Sequence, residues 1–158
     1  DVPNRRAARW CNVRSVENVG SIFRTAESAG VNKIYLTGYT PAPVDRFGRV
    51  NKKLIKASLG AEEFAKWEMV INFSNLLKKL KKENYKLLAL EQDSKSVNYK
   101  KVKFANKMAI IVGNEVRGLE KSILNKVDII AEIPMRGRKE SLNVSVAFGI
   151  FVFNLFKH

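Results

Sequence analysis

The chain has 158 residues and carries 29 Lys and Arg against 15 Asp and Glu, a formal net charge of +14. Its length fits one compact domain, and its hydrophobic fraction of 46% excludes a disordered basic tail. The uncompensated charge argues against a small-molecule enzyme with a neutral surface and favours a polyanionic partner, either nucleic acid or a membrane surface.

The first half of the chain begins with a weak strand candidate. Residues 5–11 (RRAARWC) include three arginines and make a poor strand pattern. A helix is predicted over residues 18–29, with apolar side chains on one face and Gly30 at the position of a left-handed C-cap. Residues 32–37 (NKIYLT) are predicted to form a strand, and residues 38–51, which contain prolines and glycines, a loop.

The second half alternates short apolar runs with helical patterns. Ser74 is the predicted N-cap of a helix with leucines on one face and lysines on the other. The other predicted elements are strands at 85–90, 108–112 and 129–133, a short helix at 120–126 and a helix at 142–156. The last helix is apolar on nearly every side, so we expect it to be fully buried or to form a subunit interface. This order of elements predicts an α/β domain, with a mostly parallel sheet flanked by helices.

The counts of cysteine and histidine exclude several kinds of chemistry. The chain has one cysteine, Cys11, which can form neither an intramolecular disulfide nor a cysteine zinc cluster, and we expect a cytoplasmic protein. The one histidine is the last residue, His158, so a Ser-His-Asp triad and a histidine-ligated metal site are disfavoured, and we expect no metal. The longest apolar stretch, residues 144–156, is shorter than the ~20 residues of a membrane helix, so we expect no membrane association.

Three segments place glycine and polar residues where a strand passes into a loop or helix, which is where open α/β sheets bind ligands. The first segment is residues 18–26 (NVGSIFRTA), in which Arg24 lies on the polar side of the predicted helix. Taken alone, Arg24 is better explained as a solvated helix arginine than as a functional residue.

The second segment, residues 111–119 (IVGNEVRGL), is a buried strand that runs into a loop bracketed by Gly113 and Gly118. Leu119 stands where a Walker A loop requires lysine, and the chain contains no G-x-G-x-x-G. We therefore expect neither nucleoside triphosphate hydrolysis nor a Rossmann dinucleotide site. Glu115 alone would be a loop or helix-start carboxylate rather than a catalyst.

The third segment joins residues 133–137 (IPMRG) to residues 141–147 (SLNVSVA). Ser141 is either the N-cap of the last helix or a site residue. Asn143 is predicted to lie just inside that apolar helix without capping it. An amide in such a place is expected to hydrogen-bond a specific group.

In this order the three segments resemble the signature motifs of the SpoU (TrmH-like) branch of the SPOUT RNA methyltransferases. The matches are N-x-G-x-I-x-R-T-A, G-N-E-x-x-G-L and I-P-M-x-G-x-x-x-S-L-N-V-S-V-A, and residues 56–61 (KASLGA) resemble a further family segment. Together they span residues 12–151. The resemblance implies an α/β domain with a C-terminal deep trefoil knot and a homodimer. It also implies S-adenosylmethionine bound in the knot, and methyl transfer to a ribose 2′-hydroxyl of tRNA or rRNA.

Residues 5–11 depart from the family pattern, because the family's first strand is normally apolar. We therefore expect a poor strand at the edge of the sheet and an unaffected site. We also expect a single domain over residues 1–158 with no appended RNA-binding domain, so that the dimer recognises its RNA unaided.

The resemblance also implies roles for individual residues. Arg24 is the essential residue, and the role proposed for it in the family is that of the base. Because arginine is almost never deprotonated in proteins, we interpret Arg24 as a guanidinium that holds a phosphate and stabilises the forming alkoxide. Asn143 and Ser141 would orient the ribose or Arg24, Asn18 would fix the Arg24 loop, and Glu115 lies near the site by family position. Cofactor contacts are expected at strand ends and a helix start, at Leu90, Gly113, Ile133 and Leu142.

Basic residues flank the predicted site and would follow RNA phosphates, giving affinity without sequence choice. They are Arg46, Arg49, Lys52, Lys53, Lys56, Arg136, Arg138 and Lys139. Any one of them is better explained as solvated surface charge, but that explanation is much weaker for the whole excess of positive charge. Two alternatives remain open: a non-catalytic RNA-binding protein with the same fold, and a base-directed RNA methyltransferase, against which the third motif argues.

Overall fold

The structure, a computed structural model, describes residues 5–11, 13–103 and 105–156, with side chains described from Val13 onward. Asn12, His158 and the side chain of Cys11 lie outside that description. Within the described chain, seven strands form one sheet in the order β3-β2-β1-β6-β4-β7-β5. The strands are β1 (Arg5–Cys11), β2 (Lys33–Thr37), β3 (Lys66–Val70), β4 (Lys86–Leu90), β5 (Val97–Asn98), β6 (Lys107–Val112) and β7 (Ile129–Glu132). Their pairings are parallel, so the carboxyl ends of the strands lie along one edge of the sheet.

Helices connect the strands and cover both faces of the sheet, which confirms the predicted α/β class. The helices are α1 (Val16–Ser28), α2 (Lys52–Ser58), α3 (Ala61–Phe64), α4 (Phe73–Lys82), α5 (Lys121–Leu124) and α6 (Val144–Leu155), and a 3₁₀ turn spans Tyr99–Lys101. Gly30 follows α1 with φ of 73°, which confirms the predicted left-handed cap. The sequence did not lead us to predict α2, α3, β3 or β5.

The N-cap of α4 is Asn72, so the prediction of Ser74 is wrong by two residues. The Asn72 side-chain oxygen accepts a hydrogen bond from the backbone N–H of Asn75 at 3.0 Å. Asparagine caps helices as well as serine does, and it is the residue that stands before the first helical turn.

Two hydrophobic layers sandwich the sheet. On one face α1 and α6 pack against the strands through Ile22, Phe23, Phe148 and Phe151, all fully buried. On the other face α4 and α5 contribute a second cluster of buried side chains that includes Leu77 and Leu80. Residues of β6 alternate between the two clusters, which explains why this strand is an unbroken apolar run.

The segment Arg5–Cys11 is an interior strand of the sheet, so the expectation of a poor strand at the edge is wrong. Strand β1 pairs with β2 on one side and with β6 on the other; Ala7, for example, lies opposite both Lys33 and Ala109. Backbone pairing on both sides outweighs the weak local preference of this sequence, because strand propensity depends on tertiary context.

Helix α6 is buried on one side and exposed on the other, so the expectation of full burial is wrong and that of an interface stays open. Phe148, Phe151 and Val152 are fully buried, whereas Val146, Ile150 and Phe153 are 49%, 39% and 53% exposed. In the part of the chain that the structure describes, no helix is long and apolar enough to cross a membrane.

Candidate functional site

A cavity of about 350 Å³ opens at the carboxyl edge of the sheet. Its walls come from the segments that follow β4, β6 and β7 and from the first turns of α1 and α6. Ligands of parallel α/β sheets bind at this edge because the strand-to-helix connections meet there. The described backbone therefore places a concave, mixed polar and apolar surface where a small molecule is expected to bind.

Most of the residues predicted for the site line this single cavity. All four residues predicted to contact the cofactor do so, as do four of the five predicted catalytic residues. These eight are Leu90, Gly113, Ile133, Leu142, Asn18, Glu115, Ser141 and Asn143. They come from segments far apart in sequence, so it is the fold that brings them together.

One wall is the 113–118 loop, which is a tight turn closed by its own backbone. The N–H of Gly118 donates to the carbonyl of Asn114 at 2.9 Å, and the Asn114 Oδ1 accepts from the N–H groups of Val116 and Arg117 at 2.9 and 3.0 Å. Gly118 has φ of 65°, and a Cβ on Gly113 would stand 2.6 Å from the carbonyl carbon of Gly118. The turn therefore requires glycine at both places, and Gly113 exposes bare main chain to the cavity.

Glu91 and Gln92 also line the cavity, and neither was predicted. One Glu91 oxygen accepts from the N–H of Leu119 and the other from the N–H of Gln92, both at 3.0 Å, so this carboxylate ties the end of β4 to the 113–118 loop. Gln92 Nε2 donates to the carbonyl of Glu140 at 2.7 Å. The signal for both was their position directly after β4, at the carboxyl edge of a parallel strand.

Glu115 fastens the 113–118 loop to the N-terminus of α1. Its carboxylate accepts hydrogen bonds from the backbone N–H groups of Arg14 and Ser15 at 3.1 and 2.9 Å and from Asn18 Nδ2 at 3.2 Å. Burial alone would raise the pKa of Glu115, but these hydrogen bonds outweigh it and hold the pKa below its usual value. The carboxylate is thus ionised and lies just before α1, whose N-cap is Ser15. A negative charge is favourable at a helix N-terminus.

Asn143 is the N-cap of α6, so the prediction that it caps nothing is wrong. Its Oδ1 accepts from the backbone N–H and the hydroxyl of Ser145 at 2.9 and 2.6 Å. The Ser145 hydroxyl also lies 3.4 Å from Asn18 Oδ1. Polar contacts therefore run without a break from Glu115 through Asn18 and Ser145 to Asn143. Ser145 lies in the third motif but was not predicted as a site residue, and Ser141 is exposed at the cavity and is not the cap.

Arg24 does not line the cavity of the single chain. It is exposed on α1, six residues beyond Asn18, or about 9 Å along the helix axis at about 1.5 Å per residue. Its neighbour Thr25 lies against α6, since a Cβ on Gly149 would stand 3.6 Å from Thr25 Cγ2. Arg24 is thus adjacent in sequence to a residue at the contact between α1 and α6.

The residues predicted to bind RNA are all exposed, and they fall into two groups. The first group consists of Arg46 and Arg49 in the connection from β2 to α2, and of Lys52, Lys53 and Lys56 in α2 itself. The second group lies in the connection from β7 to α6 and consists of Arg136, Arg138 and Lys139. The pKa of Glu17 at the start of α1 is lowered by hydrogen bonds from its own backbone and Ser15, and also by the charge of Lys53. Because the two segments leave the carboxyl ends of β2 and β7, both groups begin at the edge of the sheet that holds the cavity.

Comparison with known proteins identifies relatives over most of the chain. Residues 10–153 match the model of the SpoU rRNA Methylase family. An uncharacterized tRNA/rRNA methyltransferase of Archaeoglobus fulgidus is 34% identical over 144 residues, which are 91% of this chain and 61% of that protein. The 23S rRNA (guanosine-2′-O-)-methyltransferase RlmB of Xylella fastidiosa is 32% identical, over 89% of this chain and 54% of that protein. The chain thus spans little more than half the length of these curated relatives.

A solved structure shares the fold. The AdoMet-bound rRNA methyltransferase of Sinorhizobium meliloti superposes with a TM-score of 0.87 over 97% of this chain and 56% of that chain, at 25% sequence identity.

Proposed function

The chain belongs to the SpoU rRNA methylase family, and we propose that it transfers a methyl group from S-adenosylmethionine to a ribose 2′-hydroxyl of tRNA or rRNA. The observation that carries this proposal is the composition of one cavity. Side chains that can orient a ribose, Ser141 and Asn143, stand on the same walls as the four positions predicted to contact the cofactor. A protein that only binds RNA would not need the two sets together.

The residues of the cavity fit the cofactor. A volume of about 350 Å³ falls within the range of about 300–1,000 Å³ of small-molecule sites. Leu90, Ile133 and Leu142 offer apolar surface to an adenine ring, and the bare main chain of Gly113 permits close approach. When bound, S-adenosylmethionine supplies an electrophilic methyl group that a ribose oxygen can accept.

The polar residues of the cavity would position the ribose. A hydroxyl is a poor nucleophile until its proton is removed or its developing charge is stabilised, and correct positioning supplies much of the rate. Asn143 uses its Oδ1 to cap α6, which leaves its Nδ2 group to donate to a ribose oxygen. Ser141 is exposed beside it. Glu115 and Asn18 would act as positioning residues, because they hold the start of α1 against the 113–118 loop.

A homodimer would form through the exposed apolar face of α6. Val146, Ile150 and Phe153 are spaced four and three residues apart, so they lie along one side of the helix. Apolar stripes of this kind on a folded domain mark interaction surfaces. Because Thr25 packs against α6, a subunit on this face would bring the boundary between subunits close to Arg24. There the guanidinium would hold a phosphate and stabilise the forming alkoxide.

Other parts of the proposal rest on the family and on charge. The net charge of +14 favours RNA as the polyanion, and the single cysteine favours the cytoplasm. The family membership supports a trefoil knot in the C-terminal part.

Methyl transfer from labelled S-adenosylmethionine to total tRNA and rRNA, followed by nucleoside analysis, tests the function. We expect ribose-methylated nucleosides from one of the two RNA pools. Base-methylated products alone would refute the ribose assignment. Cofactor binding with no methylated product from either pool would instead support a non-catalytic RNA-binding protein.

The role of Arg24 is tested by the pH dependence of the rate in the wild type and in Arg24→Lys. Our interpretation predicts the same limbs in both profiles, with a lower rate in the variant at all pH values. A limb that disappears in Arg24→Lys while RNA affinity is kept would show that Arg24 is the base.

A further inference from the structure

Residues 43–51, between β2 and α2, form a hairpin held by its own backbone; we call this segment the 43–51 hairpin. Val44 and Val50 form an antiparallel bridge, and the N–H of Asn51 donates to the carbonyl of Pro43 at 2.9 Å. At the tip, Asp45 Oδ1 accepts from the N–H groups of Phe47 and Arg49 at 2.8 and 2.9 Å. The hairpin is therefore an ordered turn, although most of its residues are exposed.

The tip presents an aromatic ring with the guanidinium groups of two arginines close to it. Phe47 is 67% exposed, and the guanidinium carbons of Arg46 and Arg49 lie 4.7 and 5.1 Å from the centre of its ring. Phe64, at 78%, is also an exposed phenylalanine, so it is the two guanidinium groups at its ring that distinguish Phe47. Aromatic rings combined with arginine are what proteins use to stack on unpaired bases and to bind the phosphates beside them.

The hairpin lies at the edge of the sheet that holds the cavity. It follows the carboxyl end of β2, which is separated from β6 by β1 alone, so two strand spacings or about 10 Å lie between the ends of β2 and β6. The helix that the hairpin leads into, α2, packs closely on α1: a Cβ on Gly20 of α1 would stand 2.8 Å from the carbonyl oxygen of Leu54. The position of the hairpin relative to the cavity is thus fixed by packing.

We propose that the 43–51 hairpin binds one unpaired base of the RNA substrate. The base would replace the Arg46 guanidinium on the Phe47 ring, and the neighbouring phosphates would bind Arg46 and Arg49. This inference rests on the proposed function only in taking RNA as the substrate. It narrows the substrate class to RNA that has an unpaired base near the target nucleotide, because the bases of a duplex are stacked on one another and offer no free face. The Asp45 carboxylate accepts a hydrogen bond from Arg49 Nε at 2.7 Å and so orients that guanidinium. The same ion pair neutralises part of the positive charge that Arg49 offers to a phosphate.

The binding of two fluorescently labelled RNA probes tests the proposal. One probe is an oligouridylate of about a dozen nucleotides, which matches the site size of single-strand binders, and the other is a duplex RNA of the same length. In Phe47→Leu we expect about tenfold weaker binding of the oligouridylate, as the loss of one stacked base implies, and little change for the duplex. Phe47→Trp should retain binding of the single strand.

Phe64→Leu is the matched control. Phe64 is also an exposed phenylalanine, at 78%, but it ends α3 just before β3 begins, at the amino edge of the sheet. We expect this variant to bind both probes as the wild type does. Phe47 is exposed on a turn, so its replacement by leucine should leave the unfolding temperature unchanged, and a melting curve checks this.

Several outcomes would overturn the proposal. They are wild-type binding of oligouridylate by Phe47→Leu, an equal loss for single strand and duplex, or an equal loss in Phe64→Leu. A change in sedimentation of Phe47→Leu without RNA would show that Phe47 contacts protein instead.

Methyl transfer is measured separately: if the wild type methylates RNA and Phe47→Leu binds normally, only the hairpin proposal fails. If Phe47 controls binding but no RNA is methylated, only the proposed function fails.

Discussion

The 113–118 loop and the 43–51 hairpin are built from the same local chemistry and serve different ends. Each follows a parallel strand, uses an Asn or Asp side chain to accept two backbone N–H groups, contains a glycine with positive φ and closes with an antiparallel bridge. The 113–118 loop is tightly packed, since a Cβ on Gly113 or Gly118 would collide with neighbouring atoms. The tip of the 43–51 hairpin is open, since nothing lies within 4 Å of a Cβ on Gly48. Turn residues set the local shape, but tertiary contact decides whether a turn forms a cavity wall or displays side chains to solvent.

The largest effect should come from Gly113→Ala. The new Cβ would stand 2.6 to 2.8 Å from three backbone atoms of Gly118 and Leu119, which cannot rotate away, so the 113–118 loop must shift. Overpacking of this kind costs about 1–3 kcal/mol, and the displaced wall should weaken cofactor binding at least about tenfold. Calorimetry with S-adenosylmethionine and thermal unfolding measure the two effects.

Two other glycines serve as controls for that prediction. A Cβ on Gly137 meets nothing within 4 Å and its φ is not positive, so Gly137→Ala should bind the cofactor as the wild type does. Gly48 has open space but φ of 77°, so Gly48→Ala should strain the 43–51 hairpin by about 1–2 kcal/mol and weaken RNA binding alone. Normal cofactor affinity in Gly113→Ala would contradict the view that close packing shapes the cavity wall.

An intermediate effect is expected from Glu115→Gln, which tests how the loop is attached to α1. A neutral amide accepts hydrogen bonds from Arg14, Ser15 and Asn18 less well than a carboxylate does, and we expect a loss of about 1–3 kcal/mol in the free energy of unfolding. Urea unfolding at neutral pH measures it. Glu27→Gln, an exposed position at the other end of α1, should stay within about 0.5 kcal/mol of the wild type.

The pH dependence of Glu115→Gln follows from the lowered pKa of Glu115. Because the folded-state pKa lies below the ordinary value of 4.5, the stabilisation is fully present above that pH and is lost as pH falls through the folded-state pKa. The difference in stability between wild type and variant should therefore shrink on acidification below 4.5. A difference that is constant across this range would show that the carboxylate contributes through shape alone.

The residues of the site could be predicted from the sequence more fully than the ends of the helices and the positions of the strands in the sheet. Eight of the predicted residues line one cavity because the motifs stand at strand ends, and parallel strands present those ends at one edge. Arg5–Cys11 could not be placed in the sheet interior, since only pairing with two neighbouring strands makes it a strand there. From the sequence, the start of the last helix was predicted two residues too early, at residue 142. Asn143 was therefore predicted to lie inside the helix, when it is the N-cap. Glu91 and Ser145 act through contacts far apart in sequence, which local patterns do not reveal.

The smallest effect should come from Asp45→Asn in the 43–51 hairpin, and its sign is informative. The asparagine Oδ1 can still accept from the N–H groups of Phe47 and Arg49, so the turn should keep its shape and the unfolding temperature should not change. The replacement removes the acceptor that holds Arg49 Nε at 2.7 Å. It also removes an ionised carboxylate, since backbone N–H donation from Arg49 is the largest cause that holds the pKa of Asp45 below its usual value.

Arg49 is then free to contact a phosphate, so RNA should bind somewhat more tightly at low salt. The slope of log K against log salt should steepen by up to about 0.7, the value for one added phosphate contact on a single strand. Fluorescence anisotropy of labelled oligouridylate over a salt series measures both quantities. Weaker binding would show instead that Asp45 is needed to orient the guanidinium beside Phe47. In that case the hairpin would resemble the 113–118 loop in depending on a preformed hydrogen-bonded geometry rather than on charge alone.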